Sequence, residues 1–261
     1  MTPNERWVEL SYGKVNVLSG GSGPALVVLH RDTGRHGWGR LHDRLAASHT
    51  VIAPALPGYD SSDPPVFLRT VHDLAALTGF VLDRMGVTPA SFLGLGFGGW
   101  VAAEIAAHSP GRINRLVLQS PMGIKAREGE IADQFLFEAE HYMRIGFSSA
   151  AAHEKAFPEG DGAHMESWDR NREMTTRIAY KPAMFDLALP HLLPNVKIPT
   201  TVLWSGADKI VPRSCAETYA ECIPGAVLKE LPGVGHRADL EAPDALADAV
   251  LAALGATVAA R

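Results

Sequence analysis

Ala90-Ser91-Phe92-Leu93-Gly94-Leu95-Gly96-Phe97-Gly98-Gly99-Trp100 decides how this chain folds. Residues 90–95 form a short apolar run, the pattern of a strand covered on both faces. Val101-Ala102-Ala103-Glu104-Ile105-Ala106-Ala107-His108 follows without a breaker and reads as a helix. Between the two lie Gly94, Gly96, Gly98 and Gly99, which allow a sharp turn because glycine adopts positive φ without penalty. A strand, a glycine-packed turn and a helix together make one βα unit of an α/β protein.

Working outward, strand signals recur at Trp7–Leu10, Lys14–Leu18, Ala25–His30, Thr50–Pro54, Ser91–Leu95, Arg115–Leu118, Thr200–Trp204 and Ala226–Leu231. Helical patterns alternate with them, as at Arg40–Ala47, Val71–Met85 and Pro243–Leu254. The alternation predicts right-handed βαβ crossovers and a mostly parallel eight-stranded sheet with helices on both faces. The first two strands flank Ser11-Tyr12-Gly13 and suit an antiparallel hairpin at one edge. Between about Pro121 and Pro194 the alternation stops. Helical patterns at Ile131–Ile145, Ser149–Phe157 and Met165–Tyr180 replace it, which predicts a helical cap over residues 122–194 inserted into a core of residues 1–121 and 195–261.

At 261 residues and 46% apolar composition, the chain can bury a full core. A net charge of −5 and a pI near 6.1 give no electrostatic pull toward nucleic acid or an anionic membrane. The N-terminal residues lack the apolar core of a secretory signal, so a cytoplasmic location is expected. Leu246 to Ala260 is interrupted by Asp248 and reads as an amphipathic helix too short to span a bilayer. Cys215 and Cys222, seven apart in one helical pattern, would stand ~10 Å from each other, beyond disulfide reach. Both are expected to face the core.

Three further motifs fall at strand ends. Trp204-Ser205-Gly206-Ala207-Asp208-Lys209-Ile210-Val211-Pro212 ends one strand, Pro232-Gly233-Val234-Gly235-His236 follows the last, and Leu56-Pro57-Gly58-Tyr59-Asp60-Ser61-Ser62 follows the fourth. In this order, with the glycine turn, they resemble the α/β-hydrolase superfamily over essentially the whole chain. The resemblance is to its cap-bearing branch, alongside small esterases, C–C bond hydrolases, haloalkane dehalogenases and epoxide hydrolases. In that family the turn is the nucleophile elbow G-x-S-x-G. Here it reads Gly94-Leu95-Gly96-Phe97-Gly98, with glycine where the serine is expected.

The resemblance implies a His236–Asp208 dyad, in which Asp208 fixes the imidazole tautomer, and an oxyanion donor at the Phe97 N–H beside Gly96. The H-G-x loop after the third strand has become His30-Arg31-Asp32, placing a carboxylate where a substrate contact is expected. Asp32 is a candidate base or nucleophile, with a structural pairing to Arg31 or another cation as the alternative. His30 is expected to be a satisfied buried histidine. Glycine at 96 either relaxes the elbow of a silent protein or opens space for a water or substrate atom where the serine oxygen would lie.

These features predict an enzyme that hydrolyses a small organic substrate (ester, lactone or C–C bond). His236, oriented by Asp208, would activate water without a serine nucleophile. Two alternatives stand beside it: a cofactor-independent lyase or decarboxylase using the same dyad for proton transfer, and a catalytically silent ligand-binding protein. Gly94, Gly96 and Gly99 also spell a dinucleotide fingerprint, but Leu118-Gln119-Ser120 offers no carboxylate for a ribose. No cofactor is expected. His141, His153 and His164 lack metal-site spacing, and no metal is expected. The expected partner is a small-molecule substrate, with no nucleic acid and no membrane, and a homodimer is left open. Asp133, Gln134, His141, Tyr142, Trp168, Arg172, Glu173, Arg177 and Tyr180 are the cap residues that could reach a pocket, and Trp100 is expected to pack the helix on the sheet.

Overall fold

The computed structural model describes residues 1–255. Its eight strands are β1 Asn4–Leu10, β2 Gly13–Gly20, β3 Ala25–Leu29, β4 Thr50–Pro54, β5 Ala90–Leu95, β6 Ile113–Gln119, β7 Thr200–Ser205 and β8 Val227–Leu231. They form one sheet in the order β1-β2-β4-β3-β5-β6-β7-β8. The β1–β2 and β2–β4 pairs are antiparallel and every later pair is parallel, so the edge hairpin and the parallel core both follow the sequence pattern. β5 lies near the centre, between β3 and β6. All the parallel strands therefore deliver their C-terminal ends to one edge, where ligand sites of open α/β sheets form.

The core helices are α1 Arg40–Ala46, α2 Val71–Met85 and α3 Phe97–His108. Helices α4 Ala139–Ile145, α5 Ala150–Ala156, α6 Met165–Ala179 and α7 Leu189–Leu192 lie between β6 and β7, followed by α8 Arg213–Cys222, α9 Ala238–Glu241 and α10 Pro243–Leu254. Two apolar clusters flank the sheet. One joins α2, α3 and α8 to residues such as Val27, Phe92 and Leu116. The other joins α1 and α10 to Leu26, Leu93 and Val117. Neighbouring residues of one strand thus face opposite clusters, which explains why these strands read as continuous apolar runs. No described helix is long and apolar enough to cross a membrane.

The segment between β6 and β7 departs from expectation in one place. The predicted helix over 131–145 forms only from Ala139. Asp133 accepts the Phe135 N–H through its side chain at 2.8 Å, and the Leu136 N–H donates to its carbonyl at 3.0 Å. This local side-chain bond competes with the helix and makes a turn. Ala132 N–H meanwhile donates to Ile210 O at 2.8 Å, tying the turn to the loop after β7. Strand β3 ends one residue early, so His30 begins the following loop. Cys215 is buried and Cys222 partly buried, both unpaired. The last part of the predicted 246–260 helix lies outside the described residues.

Candidate active site

The turn between β5 and α3 is set by close contact. A Cβ on Gly94 would sit 2.6 Å from Gly98 O, and one on Gly98 would sit 2.3 Å from Leu29 O. No larger residue lets the helix start this near the sheet. Gly96 itself has φ 53° and ψ −109°, and its N–H donates to Gln119 O at 2.9 Å. A side chain there would leave the backbone toward His236, its Cβ 2.8 Å from Nε2 and 3.0 Å from Arg31 Nη1. Residue 96 thus stands at the apex of the turn with the imidazole facing it. The Phe97 N–H is among the first donors of α3, which have no partner inside the helix.

Asp208 and His236 come from the loops after β7 and β8. His236 Nδ1–H donates to Asp208 Oδ2 at 2.8 Å, and both side chains are buried. Asp208 Oδ1 accepts the Ile210 and Val211 N–H groups, each at 2.8 Å. Burial pushes the Asp208 carboxyl upward, but His236, the Val211 N–H and Ser120 together hold it below the usual carboxylate range. Burial also lowers His236 below its ordinary 6.5, against the raising field of Asp208, and Arg31 lowers it further. The ring is therefore neutral at neutral pH, with its Nδ1 proton held by Asp208 and an Nε2 lone pair facing Gly96. That Nε2 makes no hydrogen bond within the protein.

The β3 side of the turn rules out one of the two pairings open to Asp32. Arg31 does not pair with Asp32. Its Nε donates to Asp239 Oδ1 at 2.8 Å, its Nη2 donates to Gln119 Oε1, and Nη1 alone is left facing residue 96. Gln119 in turn donates to Ser205 Oγ at 2.9 Å, so the guanidinium is clamped from two sides. Imidazole and guanidinium both border the apex, so a water or substrate atom over Gly96 would meet His236 Nε2 and Arg31 Nη1 together. The reason is charge. A cation buried after β3 needs a buried partner, and Asp239 and Gln119 hold it over the elbow.

Asp32 is fully buried, and neither carboxylate oxygen has a hydrogen bond within the protein. Burial raises the Tyr142 phenol and lowers His236 and Arg237, and the Asp32 charge acts in the raising direction on all three, which places the four groups together. Arg237 Nη1 donates to Thr33 Oγ1 at 2.9 Å, and its guanidinium lies 5.8 Å from the Tyr142 ring. Arg31 Nη1, both Asp32 oxygens, Tyr142 Oη, His236 Nε2 and Arg237 Nη2 are all buried without a protein partner. Left unmet by any partner, each such atom would cost about 1–3 kcal/mol. Their concentration around one turn marks a site built to meet a polar molecule.

The structure brings Gly96, Phe97, Asp32, Asp208 and His236 together. Arg237, Gln119 and Asp239 escaped the sequence reading, although a lone arginine after β3 calls for a counter-charge and Asp239 stands three residues past His236. Of the cap candidates, Tyr142 reaches the cluster. Trp168 stacks on His164 with ring centroids 5.7 Å apart, Gln134 is buried against Met184, and Tyr180 packs on Phe135. Asn171, also overlooked, donates to Thr33 O at 2.9 Å and to Asp60 Oδ1 at 2.8 Å, fastening α6 over the β3 loop. His30 is satisfied, donating from Nδ1 to Arg31 O at 2.7 Å and accepting the Leu56 N–H on Nε2 at 2.9 Å. Trp100 is buried in the packing of α3.

Residues 26–249 match the model of the alpha/beta hydrolase family. The chain belongs to the α/β-hydrolase family. Within it, the chain is 25% identical over 265 residues to the 2-hydroxy-6-oxo-6-phenylhexa-2,4-dienoate hydrolase of Burkholderia cepacia, covering 94% of this chain and 92% of that protein. It is 27% identical over 210 residues to the dihydrolipoyllysine-residue acetyltransferase component of the acetoin cleaving system of Cupriavidus necator, covering 76% of this chain. The match spans 54% of that second relative, about half its length. Among solved structures, a hydrolase of Pseudomonas aeruginosa superposes with a TM-score of 0.76 at 27% identity, over 97% of this chain and 99% of that one. A serine hydrolase of Cycloclasticus zankles superposes with a TM-score of 0.83 at 16% identity, over 97% and 98%, a likeness of fold.

Proposed function

We propose that this α/β-hydrolase-family protein hydrolyses a small organic substrate (an ester, lactone or C–C bond) without a covalent intermediate. The reading rests on one observation: a neutral, Asp208-bonded His236 aims an unpartnered Nε2 at an apex that has no hydroxyl. In this scheme His236 Nε2 takes a proton from water, and the hydroxide attacks the substrate carbonyl. Arg31 Nη1 and the Phe97 N–H donate to the developing oxyanion. The protonated His236, stabilised by Asp208, then returns the proton to the leaving group. General-base action contributes typically ~10²–10⁴-fold, and an oxyanion donor a further ~10²–10³-fold. Asp32, Tyr142 and Arg237 bind and orient the substrate's polar groups.

A panel of p-nitrophenyl acetate, a γ-lactone and a 1,3-diketone, run in H₂¹⁸O, tests this. One ¹⁸O should enter the acid product, and His236→Ala should lower kcat/KM by ~10²–10⁴-fold. Turnover unchanged in that variant rejects the proposal.

A second reading is favoured by Arg31 Nη1, 3.0 Å from the position of a Cβ at residue 96. A fixed cation beside a neutral base also suits lyase or decarboxylase chemistry, in which the guanidinium holds an enolate while His236 moves a proton. Deuterium exchange at the carbon next to a carbonyl, with no ¹⁸O in the product, would select it.

A further inference from the structure

A second cluster of chemically competent side chains lies about two turns along α3 from the elbow. Glu104 and His108 are one turn apart on α3, and His72 faces them from the first turn of α2. Glu104 Oε2 is 3.4 Å from His108 Nδ1 and 3.8 Å from His72 Nδ1. The two imidazole rings meet edge to face with centroids 4.3 Å apart. One ligand atom from each of the three residues lies within 4.8 Å of the other two. With metal–ligand bonds of about 2.0–2.1 Å, the edges of a tetrahedral site are about 3.3 Å long. These side chains are therefore nearly at coordinating separation.

The carboxylate in the middle is the unusual element. The Glu104 side chain is only 2% exposed, while His72 and His108 are 52% and 38% exposed, so a buried carboxylate lies beneath two solvent-reaching imidazoles. The Trp100 Nε1–H donates to Glu104 Oε1 at 3.1 Å, which fixes the carboxylate plane and leaves Oε2 toward the histidines. Among the described residues no lysine or arginine forms an ion pair with it. Arg112 lines the same hollow but is held by Asp83 and by Gly79 O, at 3.2 Å from the latter. That hollow, about 270 Å³, has room for water beside the three ligands.

We propose that His72, Glu104 and His108 bind one divalent first-row transition ion, of which zinc is the type, with solvent completing the coordination. Two nitrogens and one carboxylate favour such an ion over magnesium or calcium, which take oxygen ligands. His108 Nδ1 also lies 3.0 Å from its own helix's Glu104 O, so loading the ion turns the ring away from that bond. Trp100 takes the outer-shell part of orienting the carboxylate. The ion would staple α2 to α3, the helix whose first residue follows Gly96. The proposal is independent of the catalytic reading, because none of the three residues touches the elbow. Sequence spacing concealed it, since the ligands come from two helices.

The test uses tag-free protein, treated with EDTA, dialysed, and titrated with zinc sulfate by calorimetry and thermal unfolding. One ion should bind per chain and raise Tm, and magnesium should not. His72→Ala and His108→Ala, both at partly exposed positions, should each weaken zinc binding by more than ~10-fold. His191→Ala, outside the cluster, should bind like the parent. The proposal is overturned if the parent binds no zinc. It is equally overturned if the His72→Ala/His108→Ala double variant binds with the parent's stoichiometry and affinity, or if magnesium raises Tm as much as zinc does.

Discussion

On the β7–β8 side of Gly96, a carboxylate bonded to two backbone N–H groups holds an imidazole at 2.8 Å, an arrangement ready for acid–base work. On the β3 side, an arginine clamped on Asp239 and Gln119 is followed by a buried aspartate with no hydrogen-bond partner within the protein. The first side keeps what a base needs. The second sets a guanidinium beside the imidazole, 3.0 Å and 2.8 Å from where a Cβ at residue 96 would lie. The contrast teaches that an acid–base pair and a fixed cation converge on one glycine, each held by buried partners of its own.

The largest effect should come from the base side. Asp208→Asn keeps the shape but offers the wrong partner to Nδ1, and kcat/KM should drop by up to ~10⁴-fold. A drop under tenfold would mean that the tautomer is fixed by something else. On the β3 side, Arg31→Met should strand Asp239 and Gln119. Urea unfolding should show a loss of about 3–5 kcal/mol, as when one partner of a buried ion pair is removed. The Arg31→Met/Asp239→Leu double variant should recover much of it, and failure to recover would place the cost in packing.

Gly96→Ser sharpens the comparison further. Its Cβ would meet His236 Nε2 at 2.8 Å and Arg31 Nη1 at 3.0 Å, with both groups held by buried partners. The variant should lose about 1–3 kcal/mol of stability and gain no fluorophosphonate labelling. Labelling at the parent's stability would show that the two sides can part to accept a serine.

The smallest effect is the pH limb. The folded His236 lies below its ordinary 6.5, so between those two values the unfolded chain binds more protons than the folded one. Stability should therefore rise with pH up to about 6.5 and level off above it. kcat/KM should share that form, being flat above 6.5 and falling only in acid as Nε2 takes up a proton. An activity limb centred above 6.5 would contradict the depressed imidazole.

Much of this was legible in the sequence because it depends on period and order. Continuous apolar runs and glycine-punctuated strand ends located the sheet, and the acid and histidine loops followed in the family's order. What stayed hidden depends on contacts between distant segments. Arg31 looked like a partner for its neighbour Asp32, yet residues 119 and 239 capture it from other strand ends. The break over 131–138 goes with an Asp133 side-chain bond and a tie from Ala132 to Ile210, the second of which no local pattern reveals. Tyr142 stood among nine equivalent candidates until the fold brought it near Asp32 and Arg237.

The most direct test is intact-mass spectrometry of the protein acid-quenched during turnover of p-nitrophenyl acetate. The account predicts the unmodified 28.0 kDa chain at every time point while product accumulates. A species heavier by one acetyl group, formed and consumed at the rate of turnover, would contradict it.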